Sequence, residues 1–224
     1  MRNNPIAEYG TYAKSYPACQ RFKLLPPDQR GMSLEEALQT RRSIREFIDN
    51  PLTFVQLSRL LFAGMGKTGE ARGRDIRTAP SAGARYPIEL YVIANRVEGL
   101  PQGLYHYFVS THELELLEEG NLAGELYQDA SEKSHMESAG VLIIMTAVME
   151  RCRSRYKSRS DRYIAMEAGH ISQNLYLQAT SLGLGSVAVG AIDETSENRL
   201  LGLDETVESA VYMQMIGPVA EPNS

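Results

Sequence analysis

Residues 163–193 read YIAMEAGHISQNLYLQATSLGLGSVAVGAID. Ile164, Ala168, Ile171, Leu175, Ala179 and Leu182 recur at spacings of three and four, the period of one helix face. The stretch therefore predicts a core helix over 163–182. Gly183 then supplies a C-cap that tolerates positive φ. Residues 187–189 read as short and extended, and 188–191 carry no bulky side chain. Upstream, residues 141–148 (VLIIMTAV) are apolar without interruption, as expected of a strand covered on both faces.

Working outward, Ser33 with Glu36 fits a capping box and predicts a helix ending near Thr40. Thr53 with Gln56 repeats the signature, and Leu57, Leu60, Leu61 and Gly64 follow at helical spacing. Residues 66–79, rich in Gly, Arg and Lys, predict a loop. Residues 88–94 predict a strand, 104–108 with 114–117 a hairpin pair, and 122–130 a short helix. A helix over 193–201 and a strand over 210–216 complete the reading. Helices, then strands, then strand–helix–strand predict an α+β fold with helices on a mainly antiparallel sheet. Residues 1–31 are polar with scattered tyrosines and are expected to be an irregular arm, leaving 32–224 as a single domain.

Composition narrows the function classes. With 224 residues, 43% of them hydrophobic, the chain buries about 70% of its unfolded surface and needs no disulfide staple. The net charge of -5 disfavours a generally basic nucleic-acid binder. Charge is uneven, however: Arg151, Arg153, Arg155, Lys157, Arg159 and Arg162 crowd 151–162. A solvated loop is the expected form of that stretch, with an anionic substrate tail or the NAD(P)H phosphates as alternative partners. Cys19 and Cys152 are far apart and outside any metal-ligand spacing, which fits a reduced cytoplasmic setting. The histidines form no zinc pattern, so no metal is expected. The N-terminus lacks a signal-peptide apolar region. The longest apolar run, 139–149, is too short to span a bilayer, so no membrane partner is expected.

Three segments suit chemistry. Arg41, Arg42, Ser43 and Arg45 place three guanidinium groups and a hydroxyl within five residues, donors that match the oxygens of a phosphate monoester. The plainer alternative is a basic helix end facing water. Pro80, Ser81, Ala82 and Ala84 lie in a small-residue loop before a strand, where backbone can approach a flat ligand closely; an ordinary strand-entry loop is the alternative. Val189, Gly190 and Ala191 follow the core helix as a smooth strip able to present N–H groups to an aromatic heterocycle, or simply as the end of a buried strand. His170, mid-helix, is expected to be a core or interface histidine.

Taken in order, Arg-Arg-Ser-x-x-x-Phe (41–47), Pro-Ser-Ala-Gly (80–83) and Leu-Gly-Leu-Gly-Ser (182–186) together resemble the nitroreductase superfamily. PSAGARYP (80–87), GLYHY (103–107), EAGHISQNL (167–175) and GLGSV (183–187) look like its SagB-type dehydrogenase branch, which includes flavin-dependent oxidases of thiazoline and oxazoline peptides. The resemblance implies a nitroreductase-like α+β homodimer with FMN at the subunit interface. By similarity, Arg41, Arg42, Ser43 and Arg45 would hold the FMN phosphate, ribityl chain and pyrimidine edge. Pro80, Ser81, Ala82 and Ala84 would come from the other subunit and cover the ring. Val189, Gly190 and Ala191 would lie beside it, with an N–H near flavin N5. The implied activity is hydride or electron-pair transfer through N5, linked to NAD(P)H, on a small-molecule or peptide substrate. Two rival implications are oxidation of azoline rings in a modified peptide and non-catalytic flavin binding.

The chain departs from the pattern twice. Many nitroreductases add a basic pair near the C-terminus, whereas this chain has no Lys or Arg after Arg199; Arg162 or the stretch before it is the expected substitute. Azoline oxidases use a Lys-Tyr pair where this chain has Arg162-Tyr163. Arg stays charged and is no ordinary base, which leaves Tyr163 as the candidate catalytic residue, able to donate a proton or orient a substrate.

Overall fold

The computed structural model describes residues 5–27, 31–126 and 133–220. Three short strands come first: β1 (Glu8–Tyr9), β2 (Lys14–Ser15) and β3 (Arg21–Lys23). Helix α1 (Leu34–Thr40) starts where the Ser33 side chain accepts the Glu36 N–H. Helix α2 (Phe54–Met65) opens on a reciprocal capping box between Thr53 and Gln56. The hairpin β4 (Lys67–Ala71) and β5 (Arg74–Arg77) precedes β6 (Ile88–Ala94), β7 (Gly103–Phe108) and β8 (Glu113–Glu119). Short helices α3 (Ala123–Leu126) and α4 (Lys133–Ser138) lead to β9 (Val141–Val148). Helices α5 (Met149–Tyr156) and α6 (Ser160–Ser181), strand β10 (Leu184–Val189), helix α7 (Glu194–Leu201) and strand β11 (Glu208–Pro218) follow.

The main sheet has seven strands in the order β10-β11-β9-β6-β7-β8-β3, and every pairing is antiparallel. Strand β9 is buried along its whole length. Val141, Ile143, Met145 and Ala147 join one core with α2 and α6, while Leu142 and Ile144 join a second with α3 and α7. That two-sided burial explains its unbroken apolar run. Helix α6 packs on α2 at Gly64, where an added Cβ would lie 3.3 Å from Leu175 Cδ2. Gly183 ends the helix region at φ 69°, a conformation that glycine adopts without penalty.

Several segments differ from the sequence reading. Residues 66–79 hold the β4–β5 hairpin rather than a loop; Arg72 and Gly73, both at positive φ, make the two-residue turn that such hairpins favour. The hairpin is largely exposed and lacks apolar alternation, so periodicity gave no signal. Residues 151–162 are helical rather than a solvated loop. Of 122–130, residues 123–126 are helical and 127–130 lie outside the described residues; α4 was not anticipated.

The irregular arm expected over 1–31 also forms strands. β3 is an edge strand paired with β8, and Lys14, Tyr16 and Leu24 are buried. The arm is held by charge. Lys14 Nζ meets Glu208 Oε2 at 2.6 Å and donates to the Tyr91 hydroxyl at 2.5 Å. His106 joins Glu115 at 2.9 Å and Glu89 at 3.3 Å in the same buried layer.

Candidate functional site

Arg41 is the C-cap of α1, and the chain continues as an irregular extended segment. Two backbone bonds lay it along the sheet: the Ile44 N–H donates to Ser186 O at 2.8 Å and the Ile48 N–H to Pro218 O at 2.9 Å. Glycines permit the approach. A Cβ at Gly185 would lie 3.1 Å from Ile44, and one at Gly217 2.8 Å from Phe47. Ile44 and Phe47 are thereby anchored, and Arg42, Ser43 and Arg45 remain exposed.

Tyr176 of α6 ties this segment to β10. Its hydroxyl accepts the Ala188 N–H at 2.7 Å and lies 3.1 Å from Ser43 Oγ. The Arg41 guanidinium sits 5.1 Å from its ring centroid. Arg42 Nη1 donates to the carbonyls of Gln39 and Arg41 at 2.9 and 2.8 Å, closing the end of α1. Among the described residues, no ion pair neutralises Arg41, Arg42 or Arg45. Tyr176 was missed in the sequence, because one tyrosine beside a core leucine carries no distinguishing signal.

Beyond Tyr176, Val189 is buried while Gly190 and Ala191 are exposed. A Cβ at Gly190 would meet only Tyr212, at 3.6 Å, and Gly190 is absent from the positive-φ glycines. Among the described residues nothing requires glycine there.

The second group lies toward the start of α6. Pro80, Ser81 and Ala82 line a cavity of about 240 Å³ with Tyr163, Met166, Glu167 and His170. The turn is tightly set: Ser81 Oγ accepts the Tyr86 N–H at 2.8 Å and Arg74 donates to Gly83 O at 3.0 Å. Ala84 and Tyr86 adopt φ of 50° and 46°, strained values for residues with a Cβ that surrounding structure must hold. Ala84 points to a different hollow, beside Arg72, Arg74 and Tyr86. Tyr163 packs against Tyr156, with ring centroids 4.5 Å apart. His170 is exposed in the protomer, so it is not a core histidine.

Glu167, also missed in the sequence, is 3% exposed, and its Oε2 has no hydrogen-bond partner among the described residues. Burial pushes its carboxyl up to about 7, against the opposing pull of Ser81, Arg77, the Ile88 amide and Arg151.

Within one chain the two groups stay apart. Tyr163 and Tyr176 lie on the same helix, about 20 Å apart at a rise of about 1.5 Å per residue. For the same reason Arg162, exposed at the start of α6, does not join the Arg41–Arg45 group of its own chain. Arg151 is not a surface cation at all: it is buried, and its Nη1 donates to Glu89 Oε1 at 2.6 Å and to Tyr86 O at 2.9 Å. Cys19 and Cys152 are both free. Among the described residues no helix is long and apolar enough to cross a membrane.

An antiparallel sheet between two helical layers, with an arginine-rich segment docked at the end of the longest helix, defines a nitroreductase-like α+β protein. Residues 38–218 match the nitroreductase family, and the chain belongs to it. MJ1384 of Methanocaldococcus jannaschii, whose name assigns it provisionally to the nitroreductases, is 40% identical over 179 residues, covering 80% of this chain and 89% of that protein. The trifolitoxin-processing protein TfxB of Rhizobium leguminosarum is 36% identical over 147 residues, 63% of this chain and 39% of TfxB. A crystal structure from Ralstonia eutropha, also provisionally named a nitroreductase, superposes with a TM-score of 0.77 at 29% identity, covering 97% of this chain and 98% of its own. A Desulfovibrio desulfuricans structure of similar name, in complex with FMN, shares the fold at a TM-score of 0.57 and 20% identity, over 86% of this chain and 92% of its own. Family membership supports an oxidoreductase.

Proposed function

We propose that this chain is an FMN-dependent oxidoreductase that works as a homodimer and draws electron pairs from NAD(P)H. The observation that carries the reading is the junction at Tyr176. Arg41, Arg42 and Arg45 lack carboxylate partners among the described residues, and Ser43 and Ala188 meet on one hydroxyl. Guanidinium groups without a carboxylate partner beside a hydroxyl suit a phosphate dianion. Gly190, which nothing among the described residues demands, suits a flat ring laid on the strip 189–191. When bound, FMN supplies reversible two-electron chemistry. The protein's part is to grip the phosphate with the arginines, to offer a backbone N–H of 189–191 to the ring, and to exclude water.

The covering residues Pro80, Ser81 and Ala82 belong to a second copy in this reading, because α6 separates them from the arginines of their own chain. The outward face of α6 fits such a copy: Ala165, Met166, Gly169, His170 and Gln173 are exposed at helical spacing. Tyr163 would stand at the substrate side of the ring.

The test is the visible spectrum of the purified protein before and after heat release of the chromophore; a colourless protein that takes up no added FMN sinks the reading. Arg42→Ala should weaken FMN binding by about 10- to 100-fold, the scale of one charge-assisted contact. Unchanged flavin content would remove the phosphate assignment. Stopped-flow reduction by NADH or NADPH separates a catalyst, which reduces rapidly, from a flavin store.

The similarity to TfxB favours a second reading, oxidation of azoline rings in a modified peptide by the SagB-type route. Arg162 in place of lysine weakens it, since Arg remains charged. Failure to turn over azoline peptides would exclude it.

A further inference from the structure

Tyr163, Glu167 and His170 stand at i, i+4 and i+7 on α6, the spacing that stacks side chains on one face. All three line the cavity beneath Pro80, Ser81 and Ala82. Two other buried glutamates are neutralised. Glu89 holds Arg151 at 2.6 Å, and Glu208 holds Lys14 at 2.6 Å. Glu167 is as deeply buried but has no ion pair among the described residues, and its Oε2 accepts no hydrogen bond. An unpaired oxygen in such a place costs stability, and this one belongs to a side chain that lines a cavity.

The groups around it come from several elements. Ser81 belongs to the covering turn, Arg77 to β5, Tyr86 to the segment before β6, Ile88 N–H to β6, and Arg151 and Cys152 to α5, with Tyr163 and His170 on α6 itself. Both cations have other partners. Arg77 donates to Tyr12 O at 2.7 Å and lies 4.2 Å over the Tyr86 ring, and Arg151 is held by Glu89. Desolvation therefore outweighs attraction, and the carboxyl can either hold or release a proton close to neutral pH.

We infer that Glu167 is a proton-exchanging catalytic residue of this site, an assignment that rests on the flavin reading above. Its carboxyl trades one proton with the substrate seated in the cavity beneath the Pro80–Ser81–Ala82 turn. In oxidation of an H–C–X–H unit, where X is nitrogen or oxygen, the C–H hydride goes to the flavin as oxidant. The X–H proton goes to the Glu167 carboxylate, and a C=X bond forms. In reduction of an acceptor the protonated carboxyl returns that proton. The lining of Pro80, Ala82, Tyr163 and Met166 selects a mainly apolar, neutral substrate portion.

The test uses FMN-loaded protein with NADPH as donor and nitrofurazone as acceptor. Wild-type reoxidation by nitrofurazone should slow as pH rises through about 7. Glu167→Gln should lower the rate at pH 6 by about 100-fold, the scale of general acid catalysis, and should abolish the inflection while FMN content is retained. An inflection that persists in the variant overturns the assignment. Infrared titration of the apoprotein gives a readout without cofactor: a protonated carboxyl band should vanish near pH 7 in wild type and be missing in Glu167→Gln. If that variant fails to fold, Ser81→Ala should move the band's midpoint to higher pH, and an unmoved midpoint overturns the assignment. Protein that shows the band but takes up no FMN sinks the flavin reading, and the catalytic role of Glu167 with it; protein that binds FMN without the inflection sinks Glu167 alone.

Discussion

Glu89 and Glu167 are buried carboxyls driven in opposite directions by their neighbours. Burial pushes Glu89 up, but Arg151 and then His106 outweigh it and hold it at about 2. Its pairing therefore stabilises the fold fully above the unfolded carboxyl value of about 4.5 and is lost as pH falls toward 2. For Glu167 burial wins, and the folded group titrates at about 7. Between about 4.5 and 7 the native state then binds more protons than the unfolded state, so stability declines as pH rises. At about 1.4 kcal/mol per pH unit the cost approaches 3 kcal/mol above pH 7. Glu167→Gln should accordingly be more stable than wild type by up to about 3 kcal/mol at pH 8 and nearly equal to it at pH 4.5. Urea unfolding across that range checks this, and parallel curves for the two proteins would contradict it. Residues of this kind were not legible in the sequence. Ser33, Thr53 and Gly183 were, because capping and positive φ are local demands written in one or two side chains. Glu167 and Tyr176 draw their properties from other segments of the chain, and the motif at 167–175 marks the place without giving either side chain its role.

Elements divide along the same line. Strands β6 and β9 were legible as largely apolar runs buried on both faces, and helix α6 because it buries one face and carries the matching period. The β4–β5 hairpin and α5 bury little, so their periodicity is blank. The N-terminal segment shows how charge hides an element. Its strands are only two or three residues long, too short for any pattern, and what fixes it is Lys14 inserted against Glu208, Tyr91 and, through Glu208, Thr146. Removing one partner of a buried pair leaves the other charge uncompensated, which costs about 3–5 kcal/mol. Lys14→Met should therefore lower unfolding free energy by that amount and release the segment to proteolysis. A variant with wild-type stability and protease resistance would show that the arm is held by its backbone pairing with β8 instead.

At the scale of the whole molecule, Gly169 poses a problem that the single chain does not solve. A glycine inside a helix costs about 1 kcal/mol relative to alanine, yet a Cβ built there meets no atom within 4 Å. The protomer itself would accept a side chain. The exposed neighbours Ala165 and Met166, with the apolar hollow of about 360 Å³ that Ala165, Ala168, Gly169 and Tyr212 line, make this face of α6 suited to the close approach of a second helix. In the proposed homodimer that approach also carries the turn at 80–84 of one copy toward the arginines of the other, so assembly and flavin binding become one equilibrium. Gly169→Arg should then leave the protomer folded, with unchanged far-ultraviolet circular dichroism, while sedimentation shows monomer and FMN content falls by at least about 10-fold, since affinity is scaled by the fraction of competent protein. The two losses must track together over a dilution series. A monomeric variant that keeps its flavin would place the whole binding site within one chain, and a dimeric variant that loses it would detach the site from α6.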